Sequence, residues 1–82
     1  MNIAPLIPMA NRIGLFFEAL SDRQQGLNEI AEHIRKFWDP RMRRALLEFI
    51  AQHPDGKGQA GELAPIVLEA VLQHRQRLEP RA

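Results

Sequence analysis

The residues able to do chemistry in this 82-residue chain are few and scattered. Its three histidines, His33, His53 and His74, stand far apart. Local metal motifs place their ligands within a few residues of one another, so no metal-ligating set is expected. Gly56-Lys57-Gly58 resembles a phosphate loop only in composition. It lacks the earlier glycine at fixed spacing and the Ser or Thr after the lysine, and reads as a flexible surface loop. The carboxylates are dispersed, none paired as general acid and base, and no serine adjoins a histidine. The absence of cysteine removes thiolate nucleophiles, disulfides and iron–sulfur ligation. No catalytic, cofactor-binding or metal site is expected in this chain.

One stretch concentrates charge. Residues 35–44, Arg-Lys-Phe-Trp-Asp-Pro-Arg-Met-Arg-Arg, hold five of the eleven Lys/Arg and the only tryptophan. Five cations less one carboxylate leave +4 there, against −3 for the remainder and +1 for the whole chain. A solvated basic face beside a core tryptophan is the bland explanation. A recognition surface is the sharper one. Arg41, Arg43 and Arg44 fall near a helix start, where positive charge opposes the dipole by a few tenths of a kcal/mol each. Arginine outnumbers lysine four to one there, and its planar fork suits carboxylate or phosphate. Large aromatics such as Trp38 often anchor interfaces. Arg35, Lys36, Trp38, Arg41, Arg43 and Arg44 are therefore the candidate partner-binding residues, with Asp39 and Pro40 in structural roles. Leu68 and Leu72, one helical turn apart beside Pro65, form a side stripe that joins the candidates.

A nucleic-acid-binding or self-associating scaffold is the alternative reading of the same corner. Helix-turn-helix units have three- or four-residue turns and polar recognition helices, whereas the helix after Pro40 is largely apolar beyond its first turn. A pI near 8.4 is also too mild to indicate nucleic acid by itself.

The elements that must position these residues follow from apolar periodicity. A first helix over 6–20 presents Leu6, Met9, Ala10, Ile13, Phe16, Phe17 and Leu20 as one broad face. Pro5 and Pro8 sit at its tolerant start, and Gly14 in its middle calls for close approach of another helix. Ser21 with Gln24 fits a capping box opening a second helix over 22–38, whose stripe is Leu27, Ile30, Ala31, Ile34, Phe37 and Trp38. Proline disfavours helix in the residue before it, while Asp39 and Pro40 are good N-cap and N1 residues. A third helix over 40–52 thus follows at a tight corner. Residues 53–62 read as loop, 63–78 as a fourth helix with His74 in its stripe, and 79–82 as a frayed tail. The expected fold is all-α: one small four-helix bundle-like domain spanning 1–82.

Apolar content of 45% supports a folded core, and no run approaches the roughly 20 apolar residues that span a bilayer. The first twelve residues lack the basic region of a secretory signal, so a cytoplasmic location without a membrane partner is expected.

The run His33-Ile34-Arg35-Lys36-Phe37-Trp38-Asp39-Pro40-Arg41-Met42-Arg43 resembles the signature of the delta subunit of soluble NAD-dependent formate dehydrogenases. Leu6 to Phe17 is similar to that family's opening, Glu62 to Val67 more loosely to its last helix. The resemblance implies a non-catalytic accessory subunit, supporting assembly, stability or cofactor insertion of an enzyme that oxidises formate to CO2 and reduces NAD. It implies that the molybdenum or tungsten pterin, iron–sulfur clusters, FMN and NAD are carried by the other subunits. The expected partner is a larger subunit, the alpha subunit first, with a homodimer when the chain is isolated.

Overall fold

The computed structural model describes residues 1–80. Five helices and one short hairpin occur among them: α1 (Leu6–Glu18), α2 (Arg23–Phe37), α3 (Pro40–Gln52), β1 (Lys57–Gly58), β2 (Gly61–Glu62), α4 (Pro65–Gln73) and α5 (Arg75–Leu78). The fold is all-α in character. The fourth expected helix is two, and the expected loop contains a hairpin. Of the expected frayed tail, Arg81 and Ala82 lie outside the described residues.

Helix α2 is the central element, packed against α1, α4 and α5, while α3 lies along α1. Its buried face is Leu27, Ile30, Ala31 and Ile34, all with no solvent exposure. Leu27, Ile30 and Ile34 join Leu46, Phe49 and Ile50 of α3, Ile66, Val67, Ala70 and Val71 of α4, and Leu78 of α5 in one hydrophobic cluster.

Local chemistry sets the boundaries. Helix α1 stops at Glu18, short of the expected Leu20, in a tightened turn where the Leu20 amide donates to the Phe17 carbonyl at 3.1 Å. The cap of α2 is Asp22 rather than Ser21: its carboxylate accepts from the Gln25 amide at 3.3 Å. A full negative charge suits the positive end of a helix better than a hydroxyl does. At the corner the Asp39 carboxylate accepts from the Met42 amide at 3.0 Å, and Pro40 takes the first helical position. Only Trp38 and Asp39 separate α2 from α3.

Gly14 meets the expected close approach. A Cβ there would lie 2.5 Å from Val67 Cγ2 and 3.2 Å from Ile66 Cγ2, so α1 and α4 cross on this glycine. The hairpin pairs Lys57 with Glu62 and Gly58 with Gly61. Gly61, at φ +146°, adopts a conformation that other residues rarely take. The Asn11 side chain clasps the strand that follows: its amide nitrogen donates to the Glu62 carbonyl at 2.9 Å, and its oxygen accepts from the Ala64 amide at 2.8 Å. That clasp holds Leu63 and Ala64 extended, so the last long helix begins at Pro65 instead of Leu63.

Candidate interaction surface

The corner divides its candidates into three groups. Trp38 is 5% exposed and belongs to the core cluster, which makes it a pin for the corner and removes it from the surface. Arg35 and Arg43 are engaged internally. Arg35 is salt-bridged to Glu32 one turn earlier, with its Nε 2.6 Å from Oε1. Arg77 of α5 takes the other carboxylate oxygen at 2.6 Å and the Asn28 side-chain oxygen at 2.8 Å. The Arg35 hydrogen bond first, and Arg77 after it, hold the Glu32 carboxyl below the usual carboxylate range against the opposing effect of partial burial. Arg43 is half-buried and reaches the Leu78 carbonyl at 3.5 Å, the long limit of a hydrogen bond. Lys36, Arg41 and Arg44 form the third group: they are exposed, and none has an ion-pair partner among the described residues. Arg41 and Arg44 border a shallow depression with Met1, Ala45 and Glu48.

The leucine pair is split as well. Leu68 is half-buried and packs on the core, while Leu72 is 49% exposed. With Pro65, Glu69 and Gln73 they line an open apolar groove of about 480 Å³ along α4.

His74 is the site of the unexpected helix break, at φ −112° and ψ 26°. Its Nδ1 lies 3.2 Å from an Arg77 nitrogen, which can only donate, so Nδ1 accepts and the proton belongs on Nε2. Nε2 is buried without a hydrogen-bond partner. Burial first, and then the Arg77 charge, push the imidazole below its ordinary value. Because the folded state holds this ring neutral, its contribution is intact above about pH 6.5 and declines below it, where the unfolded chain takes up the proton first. Glu32 loses its contribution in a separate window, below the ordinary carboxylate range. His74→Leu is therefore expected to flatten the fall in urea midpoint that sets in below about pH 6.5. It should also raise the neutral-pH midpoint by removing an unsatisfied donor. Parallel pH profiles for the two proteins would contradict this assignment.

A second surface was not foreseen. Phe16 and Phe37, expected in buried stripes, are 73% and 71% exposed. Phe16 meets Phe17 edge-on at 4.9 Å between ring centroids, Phe17 meets His33 at 6.2 Å, and His33 meets Phe37 at 4.8 Å. The four rings form a row across α1 and α2. Met9 and Leu20, also expected in the core, are 41% and 39% exposed on the Phe16 side of α1. The reason lies in Gly14: α4 packs on it, Ile7 meets Gly61 of the hairpin, and the buried arc of Leu6, Ile7, Ala10 and Gly14 turns the Met9–Phe16–Leu20 edge outward. At the end of α2, adjacent positions point about 100° apart, and Trp38 takes the inward one.

Comparison with known families bears directly on this surface. The family described as NADH-dependent formate dehydrogenase delta subunit, FdsD, matches residues 5–71. The chain belongs to the formate dehydrogenase delta-subunit family. No curated protein and no solved structure matches it. The span matched to the delta subunit contains the Asp39-Pro40 corner, the free cations, the ring row and the start of the α4 groove. It ends before Leu72, His74 and Arg77. No helix among the described residues is long and apolar enough to cross a membrane.

Proposed function

We propose that this delta-subunit chain is a non-catalytic accessory subunit that docks on a larger formate dehydrogenase subunit, the alpha subunit first, and supports assembly, stability or cofactor insertion. The family match over residues 5–71 carries the reading. The residue chemistry agrees with it: the chain has no cysteine to hold an iron–sulfur cluster. The basic corner is the proposed docking site, with Lys36, Arg41 and Arg44 as the cations available to acidic groups; Leu72, the exposed part of the apolar groove along α4, is a separate contact toward the start of α2, where Glu69 and Gln73 meet Arg23 and Gln24. Trp38, Asp39 and Pro40 build the corner from within.

Two measurements test this. Enzyme produced without the chain should yield less assembled complex, with unchanged kcat per molybdenum- or tungsten-loaded centre. Equal yield removes the accessory role, and a lowered kcat per loaded centre places the chain in catalysis. Reversing Arg41 and Arg44 together to Glu should leave the fold intact, since both are exposed. It should weaken co-purification with the larger subunits about tenfold or more, most strongly at low salt. Undiminished co-purification would clear the corner of this role.

A further inference from the structure

We propose that the ring row of Phe16, Phe17, His33 and Phe37 is a second docking face, and that it receives an apolar, carboxylate-flanked segment of a larger formate dehydrogenase subunit. It rests on the reading above that the chain docks on such a subunit.

The row is unlike the scattered apolar residues that any surface carries. Phe16 and Phe37 are more than two-thirds exposed, yet each ring is held against a neighbouring ring rather than loose in solvent. Both lie on long helices that anchor to the core one position away, through Phe17 and Trp38. A partner would therefore meet rings already in place, with little side-chain freedom left to lose on binding. With Met9 and Leu20, the exposed apolar area is roughly 400–500 Å², the size at which surface patches on monomers are often functional.

The charges beside the rings select the occupant. Arg12 stands one turn before Phe16, and Lys36 immediately precedes Phe37. Both are exposed, and neither has an ion-pair partner among the described residues. Glu29, one turn before His33, is an acid on this side of α2, so the two cations outnumber it. A partner that covers the rings thus meets cations at their margin, and carboxylates there complete the contact.

A second copy of this chain fits less well. Two such patches joined would bury about 1,000 Å² in total, short of the roughly 1,200–2,000 Å² of stable interfaces. They would also gather two Arg12 and two Lys36 side chains around the joined rings. A larger subunit suffers neither limit, because it can extend from the row onto the basic corner: Lys36 borders both.

The test uses the full chain co-produced with the other formate dehydrogenase subunits. The F16S/F37S variant alters only exposed side chains, so the isolated protein should keep the wild-type melting temperature. Its co-purification should fall at least tenfold, F16L/F37L should restore most of it, and R12E/K36E should weaken it in a salt-dependent way. A photo-crosslinker at position 37 should map to a larger-subunit segment that combines apolar residues with Asp or Glu. Wild-type-level co-purification of F16S/F37S overturns the face while leaving the accessory reading intact. A wild-type chain that does not co-purify overturns the accessory reading and this inference with it. Loss of a homodimer in sedimentation by F16S/F37S, with co-purification unchanged, makes the occupant a second copy and overturns the proposal.

Discussion

Replacing Trp38 with alanine is expected to lower stability by about 3–5 kcal/mol, the range for truncating a large buried aromatic. Trp38 is 5% exposed and shares the core with Leu46, Phe49 and Leu78. It also sits where α2 ends, between the last turn of that helix and the Asp39 cap of the next. Its loss therefore opens a cavity and loosens the corner together. Small domains have about 5–15 kcal/mol in total, so the variant should populate the unfolded state measurably. Urea titration followed by far-UV circular dichroism reads the change. The native fluorescence checks the premise, because this is the only tryptophan: its emission should be blue-shifted and move to the red on unfolding. Trp38→Phe should recover most of the loss. A Trp38→Ala cost below about 1 kcal/mol, typical of minor sites, would return the ring to the surface and to the list of interface anchors.

Gly14→Val is expected to produce the next largest loss. The first added carbon would lie 2.5 Å from a methyl of Val67, which is fully buried and β-branched and cannot swing aside. Overpacking of this kind costs about 1–3 kcal/mol. Alanine at position 14 recovers about 1 kcal/mol through helix propensity, so its net loss is smaller. Valine adds two more methyl groups and forfeits part of that gain. A double-mutant cycle isolates the contact: shrinking the opposite residue in Gly14→Ala/Val67→Ala should cost less than the sum of the single changes, by about 0.5–3 kcal/mol. Strict additivity would mean that the helices do not meet at this glycine.

These two residues show what the sequence made legible. The α3 boundaries were readable because Asp39 and Pro40 act locally, through a cap and a fixed backbone angle. The buried face of α2 over Leu27–Ile34 was readable because its apolar stripe is narrow and flanked by polar residues, and that of α4 because Ile66, Val67, Ala70 and Val71 recur at helical spacing. The outer face of α1 was not. Its apolar arc is wider than one packing contact can cover, and periodicity identifies an arc without its centre. Gly14 was the available signal, since the point of closest helix approach marks the middle of the buried side. The Phe37-Trp38 pair carried the same ambiguity, with two aromatics for one inward position. The break at His74 has neither proline nor glycine to announce it; it accompanies the long-range tether of Arg77 to Asn28 and Glu32. Arg35 was spoken for by a carboxylate one turn away, which spacing permits but does not require.

The clasp made by Asn11 joins residues 51 and 53 positions away in the chain. Contacts within α1, α2 and α3 need only short stretches of backbone to close, whereas this one closes a circuit around all three. One amide therefore ties the two ends of that circuit together. Slow exchange of the Ala64 amide is the expected sign that this latch stays shut in the folded state, and fast exchange would show that it opens.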